Sequence, residues 1–220
     1  KSRGDGMIDR KAILEAVEEH RKDKVPLEHY RSLLGQHDPQ EMAAGSSCPY
    51  DEAEKSFDVV LMGKHYFVSY PKGIITMEDG TECQDMHMMT LILRYLENAK
   101  PMEPTGANIA YRDISGGNHY FKTFEGRCLK RLAFSFGHNP GGFKKAMAAV
   151  GAELVKGGDL AYRFRFIGNR YVTAILWLAD EEFQPEAQVL FDENVLTAFD
   201  AEDLAVVGDV FISELKDYTK

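Results

Sequence analysis

The feature that most constrains the fold is an almost unbroken run of β-branched and aliphatic residues at positions 171–178. Strands that are buried on both faces carry such continuous apolar runs, so the segment predicts an interior strand of a β-sheet. The run contains Trp177, the single tryptophan of the chain. Three carboxylates, Asp180, Glu181 and Glu182, follow it directly. A candidate site therefore lies where the predicted core strand ends.

The neighbouring segments predict partners for this strand. Residues 160–166 alternate in the way expected of a half-buried strand, and Gly168-Asn169 suits a tight turn into the apolar run. Such a turn joins antiparallel strands, so Arg163 or Arg165 should lie against the neighbouring strand. Residues 189–191 predict a third strand.

A second group of strands is predicted earlier in the chain. Residues 57–62 and 65–70 have the pattern of a hairpin, and the Gly63-Lys64 pair between them suits a type II′ turn. Residues 74–77 extend the hairpin into a small meander.

Helices are predicted from apolar spacing and capping residues. One helix follows Pro26, and Asp38 caps another that begins with proline. Residues 85–98 have apolar side chains at three- and four-residue spacing and predict a nearly buried helix. The methionines of that helix favour either an adaptable pocket wall or gap-filling in the core, and the second use is the commoner one.

Residues 113–126 predict a long loop, because they hold both turn glycines and several aromatic side chains. Long loops of this kind often carry function, and the alternative is a loop that only packs over the edge of the sheet. A helix over residues 127–136 should follow and end at Gly137 in the left-handed conformation. Two more helices are predicted to begin after their capping residues, Asn139 and Asp200.

Together these elements predict an α+β fold, in which a mainly antiparallel sheet packs against several helices. The length of 220 residues fits a single domain. We assign residues 26–220 to this α+β domain and residues 1–25 to an N-terminal helical extension.

The net charge and the composition narrow the range of expected partners. A net charge of -9 repels phosphate backbones and anionic lipids, so nucleic acid is not an expected partner. No apolar window is long enough for a membrane span, and the polar start lacks the core of a signal peptide, so a cytoplasmic protein is expected unless processing removed a leader. Three cysteines, Cys48, Cys83 and Cys128, form no CxxC pair and should be reduced and mostly buried.

The sharpest site candidates are Asp180, Glu182 and Asp192. Carboxylates that converge at strand ends can hold Mg²⁺ or Ca²⁺, or act as general acid and base. The alternative is a solvated acidic turn, with Asp192 capping a helix that begins near Asn194.

Four other residues are candidates for ligand contacts. Arg127 can bind an anion through its forked guanidinium, or can simply pair with an acid. Trp177 borders the acidic turn, and His119 and Tyr120 lie in the predicted aromatic loop, where surface or packing roles are the default. Cys48 follows a small-residue loop and is a weak candidate nucleophile.

Several short motifs are spread over roughly residues 28–217. They are Asp38-Pro39-x-Glu41-Met42-Ala43, Cys48-x-Tyr50, Tyr70-Pro71-x-Gly73, Phe124-x-Gly126-Arg127, Phe136-Gly137, Gly158-Asp159, Trp177-x-x-Asp180-Glu181-Glu182-Phe183, Leu190-Phe191-Asp192 and Glu202-Asp203-Leu204. Together they resemble the motifs of the bacterial and archaeal family numbered 3786 among domains of unknown function. The resemblance implies an origin in anaerobes and partner proteins of redox, iron–sulfur or corrinoid metabolism. The family's Trp-Glu-Gly-Asp-Glu-Glu pattern is Trp-Leu-Ala-Asp-Glu-Glu here, with one acid and one glycine fewer.

Three functions fit these observations. The first is a small-molecule or cofactor-binding accessory domain, whose cofactor the sequence does not identify. The second is a metal-assisted hydrolase or lyase that uses Asp180, Glu182 and Asp192. The third is an interaction module, in which an exposed apolar patch docks a partner or pairs two copies as a homodimer.

Overall fold

The computed structural model describes residues 26–220. The helical extension expected at residues 1–25 lies outside the described residues. The described part is α+β, with helices packed on one face of an antiparallel sheet, which confirms the predicted fold class. No helix among residues 26–220 is both long and apolar enough to cross a bilayer.

The sheet is built from nine strands within the described residues. They are β1 (Tyr50–Asp51), β2 (Ser56–Leu61), β3 (Lys64–Ser69), β4 (Ile75–Met77), β5 (Asn108–Ala110), β6 (Glu153–Leu154), β7 (Leu160–Ile167), β8 (Arg170–Trp177) and β9 (Glu186–Asp192). Their order is β4-β3-β2-β7-β8-β9-β5, with β1 against β2 and β6 against β7. The predicted interior strand is β8, which lies between β7 and β9.

The hairpin between β2 and β3 has a different turn from the predicted one. Leu61 pairs with Lys64, so the turn residues are Met62 and Gly63. Both have positive φ, 47° and 81°, which is the backbone of a type I′ turn. The predicted type II′ turn at Gly63-Lys64 is therefore wrong by one residue.

Seven helices cover one face of the sheet or flank it in the described part of the chain. They are α1 (residues 26–34), α2 (Pro39–Ser46), α3 (Met86–Asn98), α4 (Gly117–Phe124), α5 (Arg131–Phe136), α6 (Pro140–Ala149) and α7 (Ala201–Asp217). The predicted capping residues Asp38, Asn139 and Asp200 all accept backbone N–H groups at the helix starts. Asp200 and Asp203 form a reciprocal capping box on α7.

The segment predicted as a loop, residues 113–126, is mostly helical. It contains α4, and a π-helical turn over Glu125–Lys130 joins α4 to α5 without a break. Phe124 explains the preference for helix, because its ring is fully buried and stacks on Tyr111 with centroids 3.9 Å apart. The aromatic side chains that suggested a loop thus hold a helix against the core.

Gly137 ends α5 in the right-handed conformation, with φ of -63°, so its predicted left-handed role is wrong. Glycine is required here by packing, since a Cβ would lie 2.1 Å from the Cβ of Pro185. The end of α5 therefore sits directly on the chain that leads into β9.

The helices bury one face of the sheet through aromatic contacts. Phe164 of β7 packs on Phe211 of α7, and Phe191 of β9 packs on Phe124 of α4. On the other face, Arg165 and Trp177 are exposed and Ile175 is half-buried. The expectation that the strand at 171–178 is buried on both faces holds only at its middle.

A buried arginine joins the sheet to the helices. Arg170, the first residue of β8, is fully buried and donates to the carbonyls of Gly45 and Lys100 at 3.2 and 2.8 Å and to the hydroxyl of Thr197 at 3.1 Å. Gly45 lies in the last turn of α2, and Lys100 follows the end of α3. The Gly45 carbonyl is one of those left unpaired at the end of α2, where a cation is stabilised.

Candidate functional site

The predicted acidic corner lies in the loop of residues 178–185, between β8 and β9. Trp177 ends β8, while Asp180 and Glu182 are exposed in the loop. One oxygen of Asp180 accepts the backbone N–H groups of Glu182 and Phe183 at 2.8 and 2.7 Å, and these bonds lower the pKa of Asp180. The carboxylate of Asp180 thus shapes the turn.

Asp192 lies at the far end of β9 from this loop. A rise of about 3.3 Å per residue places the ends of a strand of this length about 20 Å apart. The Asp192 side chain is fully buried and forms an ion pair with Arg163 at 3.4 Å. It also caps the short helical turn at Glu193–Thr197, as the alternative prediction stated.

Backbone N–H groups stabilise the ionised form of Asp192. Burial alone raises a carboxyl pKa, but the N–H groups of Thr105, Asn194 and Gly106 together with Arg163 outweigh it, so the pKa of Asp192 is lowered. The three N–H groups donate at 3.0, 3.1 and 2.7 Å. The carboxylate is saturated by the protein and anchors the chain that enters β5.

The structure does not bring Asp180, Glu182 and Asp192 together. Over residues 26–220, no group of three histidine, cysteine or carboxylate side chains is arranged to hold a metal ion. The candidate ligands therefore lie at the two ends of β9, and the hydrolase or lyase that would use them stays a prediction.

A groove between α3 and α7 is the candidate site that the structure offers instead. The two helices run in opposite directions, since Arg94 near the end of α3 pairs with Asp203 in the first turn of α7. Asp85, at the start of α3, lies near Glu214 in the last turns of α7.

Three connected hollows form this α3–α7 groove. Their volumes are ≈ 420, ≈ 150 and ≈ 470 Å³, and the first two share His87 and Val206, while the second and third share Asp203. The volumes of the outer two fall within the range of about 300–1,000 Å³ typical of ligand pockets. The residues that line the first hollow are Asp85, His87, Met88, Arg127, Val206, Asp209, Val210, Ser213 and Glu214.

The π-helical turn brings Arg127 to this groove. Arg127 is half exposed and its Nε lies 3.7 Å from Asp209 of α7. Gly208 allows the approach, because a Cβ at this position would lie 1.7 Å from the Sγ of Cys128 in the π turn. π turns inside helices occur frequently at functional sites. The predicted ligand contact Arg127 is thus placed at the groove.

The carboxylates of the groove already have protein partners. Glu214 accepts from the Nζ of Lys64 at 2.5 Å, and Asp209 pairs with Arg131 at 3.0 Å. Asp85 caps α3 by accepting the N–H groups of His87 and Met88. Arg127 also has a partner, Asp209, but at 3.7 Å and with its side chain 56% exposed it remains open to a ligand.

His119 and Tyr120 lie on α4, away from the acidic corner. His119 is exposed, and its ring meets Tyr120 edge-on with centroids 4.9 Å apart. The Tyr120 hydroxyl is 3.5 Å from Glu202 at the start of α7. Neither residue lines the three hollows of the α3–α7 groove.

Asp203 gives the groove a pH-dependent group. Burial raises the pKa of Asp203 to about 6, against the opposing effect of Arg94. Because the folded state holds this proton more tightly than the unfolded chain, Asp203 should make the free energy of unfolding fall as pH rises from about 4 to about 6. We expect Asp203→Asn to remove this contribution, as measured by urea unfolding at several pH values.

A matched variant controls this measurement. Glu202→Gln changes an exposed carboxyl next to Asp203 and should leave the slope of stability against pH as it is in the parent protein. If the free energy of unfolding fell with pH as steeply in Asp203→Asn as in the parent protein, the pH dependence could not be assigned to Asp203.

The cysteines are buried and free, as predicted. Burial raises the pKa of Cys48 to about 11, so its thiol stays protonated at neutral pH. The weak candidacy of Cys48 as a nucleophile rested on an exposed loop, and the side chain is not exposed.

Sequence reasoning missed most of the groove. Arg94, Asp209 and Glu214 are spread over two helices more than a hundred residues apart, and no local motif joins them. The one useful sign was the methionine-rich helix at 85–98, whose Met86 and Met88 line the groove.

These features define the class of protein: an α+β domain with an open antiparallel sheet and a helix-lined groove on its covered side. The chain belongs to the family described as Domain of unknown function (DUF3786), whose model matches residues 38–214. No curated protein and no solved structure matches the chain.

Proposed function

We propose that this chain is a small-molecule or cofactor-binding accessory domain whose ligand occupies the α3–α7 groove. The observation that carries the proposal is the meeting of the π turn, Arg127 and the methionine-bearing start of α3 around one hollow of ≈ 420 Å³. A helix with a π turn is energetically unfavourable relative to a regular one, so its position beside a hollow is informative.

The lining favours a ligand with an apolar body and one anionic group. Met86, Leu91 and Val206 provide an apolar wall, and methionine adapts to irregular shapes. Arg127 provides the cation, because its fork suits a carboxylate or phosphate. Corrinoids, flavins, haem and nucleotides all combine these two features.

The family resemblance supports a role in the redox, iron–sulfur or corrinoid metabolism of anaerobes. Partner proteins of that metabolism would supply or use such a cofactor. The domain would then hold the cofactor for a partner protein, and catalysis would belong to that partner.

Thermal unfolding with added ligand tests the proposal. At a concentration about 100 times the Kd, a ligand specific for the folded state stabilises it by about 2.7 kcal/mol. We expect at least one of cobalamin, FMN, haem or ATP to raise the Tm of the parent protein. Arg127→Ala and the groove-filling Val206→Trp should reduce the rise.

Arg112→Ala is the matched control, because Arg112 is an exposed arginine whose guanidinium lies over Phe121, 3.7 Å from the ring centroid, and lines none of the three hollows. The Tm of Arg112→Ala should rise on addition of ligand by as much as the Tm of the parent protein. If none of the four compounds raises the Tm, or if Val206→Trp responds fully, the groove is not the ligand site.

A further inference from the structure

The loop of residues 178–185 presents aromatic side chains to solvent. Trp177 is 41% exposed and Phe183 is 66% exposed, although large apolar side chains normally contribute to the core. Trp177 is the last residue of β8, and Phe183 lies in the loop that follows it. Within this loop the N–H of Asp180 donates to the Phe183 carbonyl at 3.1 Å. An aromatic pair on one short loop is the kind of feature that marks an interaction site.

The loop is held firmly in this position. The N–H of Ala179 donates to the Gly137 carbonyl at 3.2 Å, and the N–H of Leu178 donates to Asp159 at 2.8 Å. Pro185 is buried against Gly137. A surface whose backbone is fixed before binding loses less conformational entropy when a partner docks.

Trp177 and Phe183 are joined by the acidic residues of the same connection. We call Trp177, Phe183 and the acidic residues 180–182 the Trp177 patch.

The acids of this patch are not neutralised within the described residues. Asp180, Glu181, Glu182 and Glu186 are exposed, and no lysine, arginine or histidine of residues 26–220 forms an ion pair with any of them. Four carboxylates within seven residues create a negative field around the aromatic side chains.

We propose that the Trp177 patch docks a basic segment of a partner protein, with an apolar side chain against Trp177 and Phe183 and flanking lysines or arginines against the acids. Charge complementarity selects this occupant, and a cation can also stack on the face of Trp177. A second copy of this chain is disfavoured, because a symmetric contact would place the acidic loops against each other. The patch is distinct from the α3–α7 groove, so this docking can hold whether or not the groove binds a cofactor.

A peptide of alternating lysine and leucine is the probe. Since Trp177 is the single tryptophan, its emission reports directly on the patch. We expect the peptide to shift the emission to shorter wavelength, to protect Trp177 from acrylamide and to bind saturably in fluorescence anisotropy. A glutamate–leucine peptide and a lysine–serine peptide should produce none of these effects.

Charge and apolar contacts are tested by separate variants. Both Phe183→Ser and the double variant Glu181→Lys/Glu182→Lys should weaken binding about tenfold, the loss expected for a central interface side chain. These side chains are exposed, so circular dichroism should show an unchanged fold.

The turn at residues 51–54 supplies a matched control. Asp51 accepts the N–H groups of Ala53 and Glu54 as Asp180 accepts those of its own turn, and its neighbours Glu52 and Glu54 are exposed. Glu52→Lys/Glu54→Lys should leave the affinity unchanged. Equal losses in the two double variants, absence of saturable binding, or dimerisation through the patch in light scattering would overturn the proposal.

Discussion

Replacing Asp192 with alanine should lower the free energy of unfolding by about 3–5 kcal/mol, as expected when one partner of a buried ion pair is removed. The change strips Arg163 of its carboxylate and leaves the N–H groups of Thr105, Gly106 and Asn194 without an acceptor. Asn194 is fully buried, so its N–H left unpaired costs about 1–3 kcal/mol by itself. Urea unfolding followed by circular dichroism measures the loss.

Glu182→Ala is the matched control for this prediction, since both residues were candidates for the same metal site. Glu182 is exposed, and a surface substitution of this kind changes stability by about 0.5 kcal/mol or less. Equal stabilities of the two variants would show that Asp192 is not a structural anchor, and would reopen its role as a ligand.

Gly208→Ala should destabilise the protein by about 3 kcal/mol, at the upper end of the usual cost of overpacking. The added Cβ would lie 1.7 Å from the Sγ and 2.7 Å from the Cβ of Cys128, so rotation of the thiol alone cannot relieve the clash. The π turn and α7 would have to separate, which also changes the groove beside them. Thermal unfolding and ligand response should therefore both be affected.

Two variants separate this clash from a general effect of alanine in helices. A Cβ added at Gly141 in α6 would meet no atom closer than 3.9 Å. Gly141→Ala should therefore not lower the free energy of unfolding, because alanine favours helix. Adding Cys128→Ala to Gly208→Ala removes the nearest atom and should restore part of the stability. A Gly208→Ala protein as stable as Gly141→Ala would contradict the packing described for the π turn.

The antiparallel sheet could be predicted because its sequence signals are local. The turn at Gly168-Asn169 pairs Ile167 with Arg170, and the alternation in residues 160–166 indicates which side chains face the core. The bulge between Arg165 and Ile167, which shifts the register of the rest of β7, was not foreseen. Helix starts were equally accessible, since capping residues such as Asp38 and Asp200 act on the next few N–H groups.

The helix at 117–124 could not be predicted in the same way. Glycines and aromatic residues indicate a loop when only neighbours in the sequence are considered, whereas Phe124 is helical because it packs on Tyr111 and Phe191. Tertiary packing of this kind overrides local propensity.

The carboxylates predicted to share one site lie apart for a geometric reason. The acids at 180–182 and Asp192 are close in sequence and flank the same strand, but a strand separates its two ends by its full length. The α3–α7 groove joins side chains from distant helices, so neither its position nor its charge pairs follow from spacing along the chain. Arg127 was a candidate from the sequence and stays a prediction, and the acid it pairs with, Asp209, was not foreseen.

The π turn at Glu125–Lys130 also has a genetic consequence. Loss of one residue from a regular α-helix rotates the residues before the deletion by about 100° relative to those after it, but a π turn holds one residue more than an α turn. Tyr120 faces Glu202, and Arg131 faces Asp209, on the same helix α7. A deletion of a single codon within the π turn would remove the extra residue and restore a regular α-helix with both side chains still facing α7, so this stretch should tolerate an in-frame loss of one residue that the helices on either side would not.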